Sequence, residues 1–165
     1  ASATGQDIRI ANFNSPGQFV VSGHAQAVDH VCAGVKPLKG RAMPLAVSNA
    51  FHSPYMREAG LELAKYMDKL DWNDPRIPVY LNVTARPEAS GQALKEIMKK
   101  QMTSSVHWVQ TIGNQYADGM RTFVELGPKG VLSRLISQIL KDREDIKTLS
   151  VGSLEQAASL EESLA

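Results

Sequence analysis

The sequence predicts an α/β fold built in two unlike parts, and three observations carry that prediction. Residues 1–47 hold two β-rich runs around a Pro-Gly turn. Beyond residue 52, strand-like and helix-like patterns alternate, and 122–139 reads as a strand, a glycine-bounded turn and an amphipathic helix. With 165 residues and 43% hydrophobic content, the chain has apolar side chains enough for a real core.

In the first part, residues 8–13 and 18–22 flank Asn14-Ser15-Pro16-Gly17. Proline and glycine favour a tight reversal, so a β-hairpin is predicted. Val28, Val31 and Val35 then recur at helical spacing over 25–35, with Gly34 and Pro37 as stop signals. Residues 42–47 are predicted as a third strand. Strand, strand, helix, strand is part of a ferredoxin-like unit, whose opening strand and helix are expected ahead of residue 1. The boundary of this small subdomain is placed at 47, and residues 48–165 are assigned to a larger one.

In the second part, Ser53-Pro54 opens a helix, the serine as cap and the proline where its missing N–H costs nothing. Met56, Ala59, Leu63, Met67 and Leu70 are predicted to share its inner face. A strand is expected over 77–83, entered through Pro75 and Pro78. Helices follow over 90–102, with Leu94, Ile97 and Gln101 aligned, and over 106–117, stopped near Gly119. A buried strand, 122–126, turns through Gly127-Pro128-Lys129-Gly130 into a helix bearing Val131, Leu132, Leu135, Ile136 and Ile139. Residues 147–151 form the last strand, and Ser153 with Gln156 makes a capping-box pattern for a terminal helix.

Eighteen basic residues face seventeen acidic ones, which argues against nucleic acid or an anionic membrane as partner. Apolar runs fall short of the roughly 20 residues a membrane helix needs, so a soluble protein is expected. The first residues show no basic segment followed by an apolar run, so no secretory signal is expected there. A lone cysteine, Cys32, fits a reducing, cytoplasmic setting and is expected as a small buried hydrophobe. Four scattered histidines give no metal-binding motif, and no metal is predicted.

Among those histidines, His52 stands out because Asn49-Ala50-Phe51-His52-Ser53-Pro54 places it in a loop just ahead of a helix. A positioned imidazole is the commonest general base near neutral pH, although spacing alone also fits a capping or surface histidine. His24 and His30 are expected to be solvated, and His107, beside Trp108, to pack at a helix end. Residues 13–17 imitate part of a G-x-S-x-G elbow but lack its first glycine and lead into a strand, so Ser15 is expected as a turn residue. The 127–130 loop lacks the Walker spacing, though the helix N-terminus after it is a place where an anion would be favoured.

Four segments in order, Asn12-Phe13-Asn14-Ser15-Pro16-Gly17-Gln18, residues 49–54, Gln101-Met102-Thr103-Ser104-Ser105-Val106-His107-Trp108 and Phe123-Val124-Glu125-Leu126-Gly127-Pro128, resemble the malonyl-CoA:acyl carrier protein transacylase family. Related acyltransferase domains of polyketide and animal fatty acid synthases share the likeness, which covers essentially the whole chain. The resemblance implies an α/β-hydrolase-like large subdomain, here in part, beside the incomplete ferredoxin-like one. It implies transfer of malonyl from malonyl-CoA to the phosphopantetheine thiol of acyl carrier protein through an acyl-serine, with coenzyme A thioester as substrate and no permanently bound cofactor. His52 matches the family's histidine base, and Gln101 the residue whose main-chain carbonyl supports it. Phe51, Asn49, Asn12 and Asn14 fall at implied substrate-binding positions, and an aromatic residue at 51 goes with preference for malonyl over methylmalonyl.

The family's Gly-His-Ser motif is absent from these residues, and so is the segment with the arginine that pairs with the malonyl carboxylate. Arg41 and Arg57 match no such motif and are expected on the surface. Gly127-Pro128-Lys129-Gly130 stands where the family often reads Gly-Pro-Gly-Lys. A missing N-terminal part of the same enzyme is therefore the expected partner, and this chain by itself is expected to be inert. The rival readings are a non-catalytic carrier-protein-binding or scaffold fragment, and an acyltransferase domain of a polyketide synthase.

Overall fold

A computed structural model describes residues 6–160. The hairpin forms as predicted: β1 (Ile8–Ser15) and β2 (Gln18–Gly23) run antiparallel around Pro16-Gly17, and Phe13 meets Phe19 edge to face at 5.9 Å. Ser15 closes the ladder opposite Gln18 and is buried, in keeping with a turn position. The other edge of β1 is also occupied. Val106 N donates to Ala11 O at 2.8 Å and Phe13 N donates to Val106 O at 2.9 Å, so the backbone near 106 lies parallel beside β1. β1 therefore joins the two parts of the chain by hydrogen bonds.

Helix α1 (Ala25–Val35) has the predicted bounds and passes into a 3₁₀ turn over Lys36–Leu38. The predicted strand over 42–47 does not form. Its apolar positions Met43, Leu45 and Val47 alternate correctly yet are 64%, 61% and 55% exposed for Met43, Val47 and Leu45 respectively, because no edge among the described residues pairs with them. Two side chains in this part also differ from expectation. His24 is half-buried at the N-cap of α1, since His24 N is drawn onto Asp7 O at 3.1 Å, and Cys32 is half-buried.

Ser53 caps the next helical segment, accepting from Tyr55 N and donating to Ala50 O at 2.6 Å. A 3₁₀ turn, Pro54–Met56, then leads into α2 (Arg57–Met67). Met56 and Met67 are buried as predicted, but Ala59, Leu63 and Leu70 are exposed and Gly60 faces inward. Gly60 packs against Met102, whose Cβ a side chain at position 60 would meet at an ordinary contact distance of 3.5 Å.

The strand predicted over 77–83 shrinks to β3 (Val79–Tyr80), paired antiparallel with β4 (Pro87–Glu88). The chain turns instead at 82–84, closed by Ala85 N donating to Leu81 O at 2.8 Å, with Ala85 fully buried. Helix α3 (Gly91–Met98) starts at the Ser90 cap and stops short of the predicted end, and Gln101–Thr103 forms a separate 3₁₀ turn. Gly91 has no substitute here, because a Cβ would sit 2.5 Å from both Trp72 O and Asn73 O. Lys95 and Lys99 reach Asp68 at the end of α2, at 2.9 and 2.8 Å, and tie the two helices together.

Helix α4 (Trp108–Ala117) leads to β5 (Thr122–Leu126), which runs parallel to β6 (Lys147–Val151) with α5 (Val131–Ile139) between them. Ile112, Phe123, Ile136 and Leu140 form the core of this unit, with Trp108, Tyr116, Ile139 and Ile146 against it. β5 is buried on one side only: Phe123 points in, while Val124 and Leu126 stay exposed. Val131 and Leu132 are exposed as well, at the start of α5. Ser153 caps α6 (Leu154–Ala158) by accepting from Gln156 N, and Gly152 N donates to Gln156 Oε1 in return. No helix among the described residues is long and apolar enough to cross a membrane, and no group of potential metal ligands converges there.

The N-terminus of α5 already holds its anion. Glu125 accepts from Ser133 N at 2.9 Å, and these backbone N–H groups, Ser133 first, hold its carboxyl below the usual value of 4.5. A carboxyl with a lowered folded-state pKa adds stability above its ordinary value, and that contribution is lost as acid protonates the folded form. Glu125→Gln keeps an acceptor oxygen and removes the charge. Its thermal midpoint is expected to lie below that of the parent at pH 7, with the gap closing as the pH falls well below 4.5. A gap that is the same at both pH values would show that the charge does not hold this helix.

Candidate active site

The site is built from one loop and one turn. His52 follows Phe51 in the loop ahead of α2, with φ +61°, a left-handed conformation uncommon outside glycine that costs on the order of 1–3 kcal/mol. Its neighbours hold it there. Ser53, almost wholly buried, is bonded to Ala50 O, and His52 N donates to Met102 O at 3.1 Å. The first bond closes the loop on itself, and the second anchors it on the 3₁₀ turn of Gln101–Thr103.

That turn and the residue after it each present a carbonyl to the imidazole. His52 Nδ1 lies 3.1 Å from Gln101 O and 3.0 Å from Ser104 O. Carbonyl oxygens only accept, so Nδ1 must carry the ring proton and donate it, which leaves the lone pair on Nε2. The Gln101 amide nitrogen, 3.4 Å from Nδ1, is then a donor facing a donor and makes no bond. A half-buried histidine with this tautomer fixed from behind is able to take a proton at Nε2 and return it without rotating.

The predicted site residues separate into two groups. His52 and Gln101 are brought together, Nδ1 against the main-chain oxygen, and Phe51 precedes His52 in the same loop, 41% exposed. Asn49 is exposed in the same loop; Asn12 and Asn14 are half-buried on β1, Asn12 opposite Val20. Among the described residues, no hydrogen bond joins any of these asparagines to His52. Arg41 and Arg57 are exposed, as expected. His107 caps α4 and stacks on Phe13 at 5.3 Å, the packing role expected of it. The residues that sequence reasoning missed are Met102 and Ser104, which act through main-chain carbonyls and so leave no signal in side-chain identity.

The descriptive model of the acyl transferase domain matches residues 2–161. The chain belongs to the acyl transferase domain family. Among its relatives, the malonyl CoA-acyl carrier protein transacylase of Staphylococcus aureus (strain MSSA476) is 38% identical over 149 residues, 90% of this chain and 47% of that protein. An acyl carrier protein S-malonyltransferase from Vibrio cholerae O1 biovar eltor str. N16961 superposes with a TM-score of 0.89 at 32% identity, over 96% of this chain and 51% of the other. The malonyl-transacylase in complex with a type II PKS acyl-carrier protein gives 0.90 at 30% identity, over 98% and 52%. This acyl transferase chain thus spans about half the length of the curated relatives it matches, and its mixed α/β structure is theirs over that half.

Proposed function

We propose that this acyl transferase chain supplies the histidine base for transfer of malonyl from malonyl-CoA to the phosphopantetheine thiol of an acyl carrier protein in fatty acid biosynthesis, in the cytoplasm. The observation that carries the proposal is the imidazole of His52 held at Nδ1 by Gln101 O and Ser104 O, with Nε2 left as the basic nitrogen. The relatives' names supply the substrate class, and one of them is bound to an acyl-carrier protein. In this reading residues 1–47 belong to a ferredoxin-like subdomain and 48–165 to an α/β-hydrolase-like one. The serine nucleophile, and an arginine for the malonyl carboxylate, come from the part of the relatives' length that this chain does not span.

The chemistry runs in two half-reactions. Nε2 takes the serine hydroxyl proton as the oxygen attacks the thioester carbon, and the resulting imidazolium gives that proton to the departing coenzyme A sulfur. The carrier thiol then loses its proton to Nε2 and attacks the acyl-serine ester, and serine oxygen leaves with the proton returned. Both carbonyls stay on Nδ1–H throughout, so the charge that develops on the ring is met by acceptors already in place.

Selectivity for malonyl is assigned to Phe51. Its ring, immediately before the base, takes up volume that an α-methyl would need, and one methyl in a pocket is worth roughly 1–3 kcal/mol, or about tenfold to a few hundredfold. Phe51→Ser is expected to narrow the preference for malonyl-CoA over methylmalonyl-CoA when acyl-enzyme formation is measured in competition. An unchanged ratio would place selectivity elsewhere.

The function itself is tested by assaying the full-length polypeptide, or this chain co-expressed with its serine-bearing half, for malonyl transfer to holo carrier protein. Transfer that depends on malonyl-CoA and on the carrier thiol is expected. No transfer, with carrier binding intact, would leave a carrier-binding fragment in place of the enzyme.

A further inference from the structure

The two carbonyls that face His52 are delivered differently. Gln101 O begins the 3₁₀ turn and is steadied within it, accepting also from Ser104 N at 3.4 Å. Ser104 O, slightly the nearer to Nδ1 at 3.0 Å, lies past the end of the turn, where the backbone has become extended with φ −114° and ψ 149°. Nothing within the turn fixes that peptide plane. Support comes from the next two residues, which are laid along β1: Ser105 Oγ donates to Ile10 O at 2.7 Å, and Val106 exchanges bonds with Ala11 and Phe13.

Those bonds are not equivalent. The Ser105 hydroxyl is carried on Cα105, one end of the peptide unit that holds the Ser104 carbonyl, whereas the two Val106 bonds begin one residue later. The Ser105 hydroxyl grips β1 next to the carbonyl itself. We propose that Ser105 is a positioning residue for His52: by fastening its segment to Ile10 O it holds the Ser104 carbonyl on Nδ1 and so makes a two-acceptor cradle that fixes the ring's tautomer and direction. The proposal rests on the reading of His52 as the base. It assigns a share in the chemistry to a hydroxyl that touches neither the imidazole nor a substrate.

The test uses Ser105→Ala and Ser105→Thr in the complete enzyme, with ¹⁵N spectra of labelled histidine and steady-state malonyl transfer, beside His52→Ala. In Ser105→Ala the Nε2–H tautomer of His52 is expected to grow at the expense of Nδ1–H, and kcat to fall about three- to tenfold, the worth of one neutral hydrogen bond, with KM unchanged. Ser105→Thr, which keeps a hydroxyl, is expected to retain both tautomer and rate. An unchanged tautomer ratio in Ser105→Ala overturns the positioning role, whatever the rate does, because a merely structural loss would lower activity and leave the ratio alone. Normal transfer by His52→Ala would instead overturn the reading beneath it, while the tautomer ratio, recorded without substrate, still decides the proposal about Ser105.

Discussion

His52→Ala in the complete enzyme is expected to lower malonyl transfer by about two to four orders of magnitude, the usual worth of a positioned general base. The fall should appear in acyl-serine formation and in transfer to the carrier alike, since in the proposed mechanism the same nitrogen serves both half-reactions. Folding is expected to survive. His52 is half-buried, its ring bonds only to main-chain acceptors, and Gln101 O keeps a second donor in Ser104 N. The loop itself is anchored by Ser53 on Ala50 O and by the main chain of residue 52 on Met102 O, neither of which needs the imidazole. His52→Asn is the useful companion, because asparagine tolerates the left-handed backbone at φ +61° better than alanine does. Equal losses in the two variants would assign the effect to the missing base; a normal rate in both would remove His52 from the mechanism.

The largest stability effect is expected at Ile112. It is 1% exposed and sits on α4 among Phe123, Ile136 and Leu140, where α4, β5 and α5 meet. Ile112→Ala removes methylenes from a close-packed site with few ways to collapse, at a cost of about 2–5 kcal/mol. That is a large part of the roughly 5–15 kcal/mol by which a domain is stable, so the urea midpoint should drop sharply with little change in slope. A loss under about 1 kcal/mol would mean that this cluster is not the core that holds β5 and β6 in place.

The elements that were legible in the sequence are those with local causes. The hairpin follows from Pro16-Gly17 between two β-rich runs, α1 from its valine spacing, and the unit from β5 through α5 to β6 from glycine punctuation and a helical apolar stripe. What failed depended on neighbours. Residues 42–47 have a strand's alternation and no edge to pair with, and on α2 Gly60 faces inward against Met102, a contact across more than forty residues that no helical wheel contains. The strand expected over 77–83 was cut short by a turn closed on Ala85, whose positive φ has no signature in an alanine.

The candidate site divides along the same line. His52 was visible by its loop and by the motif around it, and Gln101 only through resemblance, because a main-chain carbonyl is the same in every residue. Ser104 O was invisible for that reason and became apparent only with the extended backbone that follows the turn. The start of α5, read from the sequence as a place where an anion would be favoured, is occupied by the chain's own Glu125, which accepts from Ser133 N eight residues on.

The central claim, that His52 serves as base toward a serine outside these residues, is tested most directly by mapping the acyl group. Complete enzyme and its His52→Ala variant would be mixed briefly with malonyl-CoA, quenched in acid and digested, and the malonylated peptide identified by mass spectrometry. The account predicts a malonyl ester on a serine outside this chain, forming rapidly in the parent and slower by about two to four orders of magnitude in the variant. A malonyl group on a residue within this chain, or serine acylation at the parent's rate in His52→Ala, would contradict it.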